Sequence, residues 1–322
     1  MAKPRGSKRL LKADPTDWLL EEDNPVVRWW ALRDLVRAPA RQVEAARRRA
    51  LQSEVVREVF RQQRPGGHWE RRDNMHAPHY TSTIYQLSLL GDLGPTAADR
   101  RVAAGVEAVL RTQRTDGGFP GHDPHKCEYG PYDIGLIIRF MRQFGLAGDR
   151  RLARMCRWVE RHQMAGGGWT GVHGHDRPAP GGCLNATANV LWGLAAGRKL
   201  TRTPLARRGV EFLARATAAD PGRTRWLSYP QFWNFWVDDI KLAEIYLRLG
   251  VRPDRQPLAG RLHSILDLQG DDGRWAERRG PYTDNRPNCR RMRRLFPRKG
   301  RPSKWVTAKA MTVLKLALSR SD

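Results

Sequence analysis

The sequence is short of acidic residues, of paired cysteines and of long apolar runs. Acidic residues number 33 against 58 basic ones, which gives the 322-residue chain a formal net charge of +25. The four cysteines, Cys127, Cys156, Cys183 and Cys289, form no Cys-x-x-Cys pair, which argues against a disulfide scaffold and favours a reducing compartment. No apolar run approaches the roughly 18 residues of a membrane span, and no apolar segment follows the basic N-terminus as in a secretory signal. We therefore expect a cytoplasmic protein without a transmembrane segment.

The excess positive charge comes mostly from arginine, which supplies 48 of the 58 basic residues. A field of this sign attracts anions such as nucleic acid, lipid headgroups or a diphosphate. Arginine scattered over a solvated surface gives the same composition. Composition alone therefore names no partner.

A short motif returns along the chain at a nearly fixed spacing. It reads Gln-x3-Gly-x-aromatic and begins at Gln63, Gln113, Gln163 and Gln269. The first three glutamines are 50 residues apart, and the gap of 106 before the last leaves room for a degenerate copy around residues 216–226. A fixed period of this length is typical of repeat architectures.

Two kinds of helix alternate between the motifs. Five markedly apolar helices are predicted at residues 80–91, 132–144, 184–196, 232–249 and 304–318, with arginine-rich amphipathic helices between them. Apolar helices must be buried, whereas amphipathic ones show a face to water. With a further helix at residues 26–37, six buried helices can close into a ring. We predict an all-α barrel of two concentric rings of about six helices each, forming one domain over residues 15–322 after a disordered basic segment at residues 1–14.

The repeated motif resembles the QW motif of squalene and terpene cyclases and of protein prenyltransferase β-subunits. The resemblance covers about residues 24–318 and implies the α/α toroid fold, in which two rings of helices surround a central cavity. It also implies an isoprenoid or other apolar substrate in that cavity. The Asp-x-Asp-Asp motif of acid-initiated cyclases is missing from the sequence, which argues against proton-initiated cyclisation.

Polar residues recur near the start of each predicted inner helix. Aligning the helices on their ends places Ser82, Asp133, Asn185, Asp238 and Thr307 at one level, with Gln86 and Asn189 one turn further along. In a toroid these helix starts gather at one mouth of the cavity, where their partial positive charges favour an anion. The same residue types are ordinary helix caps, so a structural role stays open for each.

The segment 229–240 combines aromatic residues with two aspartates. The first candidate substrate-binding residues are the four aromatic ones, because aromatic rings stabilise cations in an apolar cavity: Phe232, Trp233, Phe235 and Trp236. The polar residues Asn185, Asn189 and Gln86 are further candidates. Asp238 and Asp133 are the candidate catalytic acids. Exclusion of water should raise the pKa of Asp238, as an acid working near neutral pH requires. We expect Asp239 to turn toward an arginine of the outer ring.

The family resemblance also implies a possible metal site. Protein prenyltransferases hold zinc with Asp, Cys and His near the inner-helix starts, and Cys127, Cys183, His175 and His122 occupy comparable regions of this sequence. Thiolate and imidazole are the ligands that zinc prefers. The Asp-x-Cys pair of those enzymes is missing here, so ordinary glycine-rich loops explain these residues equally simply.

The segment 286–304 carries nine basic residues in nineteen. It joins the last motif to the last inner helix, so we expect it to overhang the same mouth of the cavity. Arg290 and Arg294 are candidates for holding a diphosphate or a nucleic-acid backbone. A solvated loop is the alternative.

Two functions from different classes are open at this point. One is an enzyme or binding protein that acts on an isoprenoid or other apolar molecule in the central cavity. The other is a non-catalytic toroid scaffold whose basic surface binds nucleic acid or another acidic partner. The aromatic segment favours the first function, and the missing Asp-x-Asp-Asp motif favours the second.

Overall fold

A computed structural model describes residues 11–123, 126–128, 130–170, 181–197, 203–218, 221–231, 237–280, 282–283 and 285–320. Its helices are α1 (Thr16–Leu19), α2 (Pro25–Trp30, continued by a π-helical turn, Ala31–Leu35), α3 (Ala40–Leu51), α4 (Glu54–Arg61), α5 (Thr83–Leu93), α6 (Arg100–Leu110), α7 (Pro131–Gln143), α8 (Arg150–Arg161), α9 (Leu184–Ala195), α10 (Pro204–Ala218), α11 (Asp239–Arg248), α12 (Leu258–Asp267), α13 (Pro287–Arg293) and α14 (Lys304–Leu318). The remaining regular structure described is an antiparallel hairpin of β1 (Gly121–Asp123) and β2 (Lys126–Glu128) and a 3-10 turn at Pro221–Thr224.

Six helices form an inner ring that closes on itself: α2, α5, α7, α9, α11 and α14. The last of them, α14, packs against α11 on one side and against the first helix on the other. At that closure Trp305 meets Trp30 edge-on, with 5.4 Å between ring centroids, and the Trp30 indole donates to the Asp92 carbonyl of α5 at 3.1 Å. The protein is therefore an all-α toroid, as the sequence predicts. In the part of the chain described, no helix is long and apolar enough to cross a membrane.

Burial separates the inner helices from the outer ones. Helix α5 buries ten of its eleven residues, because it is packed on every side. Helix α8 buries only Leu152, Met155, Trp158 and Val159. These four follow the three-to-four-residue spacing of a single helix face, so α8 lies in the outer ring with its arginines toward water.

The motif glutamines join successive outer helices by hydrogen bonds. Each side-chain amide donates to the carbonyl of the motif glycine four residues on and to a carbonyl of the following outer helix, at 2.8–3.2 Å. The acceptor pairs are Gly67 and Arg101, Gly117 and Arg151, and Gly167 and Leu205. These glycines have positive φ, and a Cβ added to any of them would come within 2.3–2.4 Å of a backbone oxygen of the next helix. Only glycine meets both conditions.

The last motif glutamine closes the outer ring onto the N-terminal segment. Gln269 donates to the carbonyls of Gly273 and Ala13, both at 2.9 Å, and accepts the backbone N–H of Lys12 at 2.8 Å. Residues 11–14, expected to be disordered, are thus held in place just beyond the end of α12. The expectation failed there because a basic composition does not reveal a hydrogen-bond partner that lies more than two hundred residues away.

The motif tryptophans link each outer helix to its inner neighbour. The indole N–H donates at 2.7 Å to the carbonyl ten residues earlier, and the tryptophan's backbone N–H donates at 2.9–3.0 Å to a threonine hydroxyl of the inner helix. The three sets are Val59–Trp69–Thr83, Val159–Trp169–Thr187 and Ile265–Trp275–Thr307. Thr307, expected as a polar residue of the cavity mouth, therefore holds the helices together.

Removal of the closing contact should destabilise the whole ring. Gln269→Ala should lower the free energy of unfolding by about 2–4 kcal/mol, because three hydrogen bonds of about 0.5–1.5 kcal/mol each are lost. Urea denaturation measures this difference. Gln52→Ala is the matched control, since the exposed Gln52 follows α3, and it should change stability by less than about 0.5 kcal/mol. Equal losses in the two variants would contradict the closing role of Gln269.

Candidate functional site

A buried histidine–aspartate pair lies at the start of α7. The Nδ1 atom of His76, from the loop before α5, is 2.6 Å from a carboxylate oxygen of Asp133, and both residues are less than 10% exposed. Burial lowers the pKa of the His76 imidazole, but the Asp133 carboxylate outweighs that effect, so the pKa is raised above its ordinary value. Asp133 was predicted as a site residue. His76 was not, because nothing in a loop sequence shows which helix start it will face.

Two tyrosines extend this pair across the inner helices. The Tyr85 hydroxyl of α5 lies 3.1 Å from Nδ1 of His79, and the Tyr132 hydroxyl of α7 is hydrogen-bonded to the side chains of Asn189 and Tyr85. Burial raises the pKa of both tyrosines, so their hydroxyl groups stay protonated. Asn189 of α9, which the sequence predicted as a site residue, is buried beside Tyr132.

Lys241 of α11 contacts Asn189, and Asp238, the residue before α11, contacts Lys241. The Lys241 ammonium donates to the amide oxygen of Asn189 and lies 4.4 Å from the centre of the Trp192 ring. Burial lowers the pKa of Lys241 to about 7 and raises that of Asp238 to about 7. The His76 ring packs against the rings of His79 and Tyr85, with 4.8 and 5.4 Å between centroids. We call this row of neighbouring side chains the polar chain; its members are His76, Asp133, His79, Tyr85, Tyr132, Asn189, Lys241 and Asp238. It crosses the starts of four consecutive inner helices.

Asp238 differs in one respect from the sequence-based expectation. We placed it inside a helix over residues 232–249, whereas α11 begins at Asp239 and Asp238 is its N-cap. Its carboxylate accepts the backbone N–H groups of Lys241 at 2.8 Å and Ser228 at 3.2 Å. The expectations that Asp238 is buried and that its pKa is raised are confirmed. Asp239 does turn outward, to Arg261 of outer helix α12 at 3.0 Å.

A second buried charge cluster lies deeper in the ring, around Asp92. Its carboxylate meets the Arg139 guanidinium at 2.6 Å and the Lys309 ammonium at 3.8 Å. Burial raises the pKa of Asp92, but these two cations lower it to about 2. Beside it the Tyr229 and Trp305 rings stack with centroids 5.0 Å apart. The sequence did not predict this cluster, because its side chains come from distant segments of the chain.

The other predicted substrate-binding residues differ in burial, and some of them are not described by the structure. Gln86 is fully buried, and neither polar atom of its amide has a hydrogen-bond partner. Asn185 is partly exposed on α9. Phe232, Trp233, Phe235 and Trp236 lie outside the described residues. Arg290 and Arg294 are exposed on or just after α13, and it is Arg286 that reaches the mouth, donating to the His79 carbonyl at 2.7 Å.

The structure describes the side chain of only one of the four predicted zinc ligands. Cys183 is the half-buried residue before α9. His122 and Cys127 belong to the β hairpin, where only the backbone is described, and His175 lies outside the described residues. Elsewhere in the described chain, no three His, Cys, Asp or Glu side chains come together as a metal site. Zinc binding by these four residues stays a prediction.

The raised pKa of Asp238 predicts a pH-dependent stability. A carboxyl with a folded pKa of about 7 and an ordinary value of 3.8 contributes stability that is full below the lower value and lost as pH rises through the higher one. The free energy of unfolding should therefore fall between about pH 4 and 7, by up to about 1.4 kcal/mol per pH unit from this group. Asparagine is an equally good N-cap, so Asp238→Asn should fold and remove this slope in urea titrations.

Asp99 supplies the matched control for that measurement. It caps α6, as Asp238 caps α11, but its hydrogen bond with Arg101 lowers its pKa. Asp99→Asn should therefore remove a contribution of opposite sign, one that is lost as pH falls. An unchanged slope in Asp238→Asn would show that Asp238 titrates normally.

Comparison with known proteins gives similarity of fold. No protein-family model and no curated protein matches the chain. Among solved structures, unsaturated glucuronyl hydrolase from Bacillus sp. GL1 matches with a TM-score of 0.50 and 15% identity over 96% of this chain and 88% of that one. Type II terpene cyclase MstE from Scytonema matches with a TM-score of 0.43 and 16% identity over 92% of this chain and 88% of that one. At such low identity the likeness shows the α/α toroid fold alone, and function must be argued from the site.

Proposed function

We propose that this protein is an enzyme that moves protons to or from an isoprenoid or other apolar substrate at the inner-helix starts. One observation carries the proposal: the buried His76–Asp133 pair packs against His79 and Tyr85, at one end of the row of polar side chains that reaches Lys241 and Asp238. Groups with perturbed pKa values that share one buried location are typical of acid–base sites.

The His76–Asp133 pair is the proposed catalytic group. Asp133 holds Nδ1 of His76, which fixes the orientation of the ring and stabilises its protonated form. The imidazole then exchanges a proton with the substrate through Nε2. Because both residues are buried, water screens their attraction very little.

Asp238 is the proposed acid on the α11 side of the site. Its pKa and that of Lys241 both lie at about 7, so the charge of this pair changes in the range where most enzymes work. The carboxyl also caps α11, which keeps it fixed relative to the polar chain. In the sequence it stands two residues after Trp236, the last of the proposed aromatic contacts to the substrate.

The choice of an apolar substrate depends on the aromatic segment and on the resemblance of the repeats. Phe232, Trp233, Phe235 and Trp236 are the proposed contacts to its hydrocarbon part. Gln86 and Asn185 are proposed to contact a polar group of the substrate. Each has a buried amide atom without a hydrogen-bond partner, and such atoms lower stability unless a partner satisfies them.

The arginines of the 286–304 segment are the proposed contacts to a diphosphate. Arg290 and Arg294 are exposed, and Arg286 ties this segment to the mouth through the His79 carbonyl. If this proposal holds, isoprenyl diphosphates should raise the melting temperature more than the matching alcohols do. Arg290→Ala and Arg294→Ala should each reduce that difference.

The activity itself is tested with a panel of linear polyprenyl alcohols and diphosphates, with products followed by mass spectrometry. At least one compound should be converted. Asp133→Asn and His76→Phe should each lower kcat by about 10²- to 10⁴-fold, the usual contribution of general acid–base catalysis. A bell-shaped pH profile that changes in Asp238→Asn would support the second acid.

The control for this test is Asp73→Asn, which removes an exposed carboxylate that forms an ion pair with the exposed Arg71. It should leave kcat unchanged, and both active-site variants should retain the wild-type circular dichroism spectrum. Conversion of no compound, or full activity in Asp133→Asn, would contradict the proposed function.

A further inference from the structure

The C-terminal part of the chain is free of acidic residues over a long stretch. Between Asn285 and Ser321 the sequence has twelve lysines and arginines and no aspartate or glutamate. The cations of this stretch therefore have no acidic neighbour along the chain.

Several exposed arginines elsewhere are paired with an aspartate two residues away. Arg71 meets Asp73 at 2.9 Å, and Arg114 meets Asp116 at 2.7 Å. In the C-terminal stretch, six exposed cations have no carboxylate within 4.0 Å among the described residues: Arg290, Arg291, Arg294, Arg298, Lys299 and Arg301. We call these six residues the basic face.

The first half of the basic face stands on a helix that is anchored in the core. Cys289 and Met292 of α13 are fully buried. The other side of the helix carries Arg290, Arg291 and Arg294, all exposed. These three cations therefore point away from the protein together.

The second half stands on a loop that is held by backbone hydrogen bonds. The Gly300 N–H donates to the Glu277 carbonyl at 2.6 Å, and the Glu277 N–H donates to the Arg301 carbonyl at 2.9 Å. Cations on a backbone that is already fixed lose less conformational entropy on binding a partner than cations on a free chain.

The basic face adjoins the starts of the inner helices. Arg286, directly before α13, donates to the His79 carbonyl at 2.7 Å and to the Thr81 hydroxyl at 3.4 Å. Asn288 of α13 donates to the Glu70 carboxylate at 2.9 Å. Since His79 belongs to the polar chain, the face lies beside the candidate site.

The basic face offers positive charge without aromatic rings. Surfaces that bind single-stranded nucleic acid combine cations with exposed aromatic side chains, on which the bases stack. The nearest aromatic residues in this stretch are buried, with Phe296 6% and Trp305 4% exposed. Phospholipid headgroups require only the charge.

We propose that the basic face docks on a bilayer that contains anionic phospholipids. Clusters of about four to eight lysines and arginines are typical of such docking. The choice of a bilayer rests on the proposed function, because an apolar substrate dissolves in membranes and not in water. Docking brings the inner-helix starts to the membrane surface, where the substrate enters the protein from the lipid.

Co-sedimentation with lipid vesicles tests this docking. The wild-type protein should bind vesicles of phosphatidylcholine and phosphatidylglycerol, and it should not bind vesicles of phosphatidylcholine alone. Binding should fall as salt rises from about 0.1 to about 1 M, because the Debye length shrinks from about 10 to about 3 Å.

The triple variant Arg298→Gln, Lys299→Gln, Arg301→Gln should weaken binding to the anionic vesicles about 100-fold, because each cation near such a surface contributes roughly fivefold. These three residues are exposed and are not among the proposed diphosphate contacts. Their replacement should therefore leave the melting temperature close to that of the wild-type protein.

The matched control removes the same charge from the other end of the ring. Arg100→Gln, Arg150→Gln, Arg207→Gln changes the exposed first turns of α6, α8 and α10, and it should weaken vesicle binding less than about tenfold, because these cations lie beyond a Debye length from the docked membrane. Equal losses in the two triple variants, no binding of the wild-type protein to anionic vesicles, or binding to a random-sequence DNA duplex without binding to vesicles would overturn the docking. Vesicle binding requires no turnover, so its failure and the failure of the proposed acid–base activity are measured separately.

Discussion

Each motif glutamine donates to two carbonyls, one in its own turn and one in the segment that packs beside it, and the arrangement of the outer ring depends on this pair of hydrogen bonds. The pair sets the spacing of neighbouring outer helices, and the motif tryptophan then connects each outer helix to the inner one that follows. The same contact at Gln269, just after α12, joins this part of the chain to Ala13 in the N-terminal segment. The outer ring is therefore closed by hydrogen bonds between neighbouring segments and not by any property of a single helix.

Closure of the inner ring has a consequence for polar residues on its helices. Side chains such as Asp92, Arg139 and Lys241 are buried with no access to water, so they must satisfy one another. Around Asp92 they form a matched ion pair, and its pKa is lowered. At the helix starts the matching is less complete, which leaves Asp238 and Lys241 with pKa values near neutrality. Groups of that kind are suited to proton transfer.

The sequence alone was enough to predict the ring of helices, but it was not enough to predict which side chains meet at the candidate site. Apolar helices and a repeated motif report burial and spacing directly, and both are local signals. The sequence did not predict Lys241 as a site residue, because a single lysine in an apolar helix usually points to solvent. His76 lies in a loop, and its partner on α7 is 57 residues away.

Buried, mutually coupled acid and base groups lie at the inner-helix starts. Carbon-13 NMR of the aspartate carboxyl groups tests this coupling most directly, with Asp238→Asn identifying the signal of Asp238. We expect a midpoint near pH 7 for this carboxyl, together with a second, coupled transition when Lys241 is titrated. A single midpoint at or below the ordinary aspartate value of about 3.9 would contradict it.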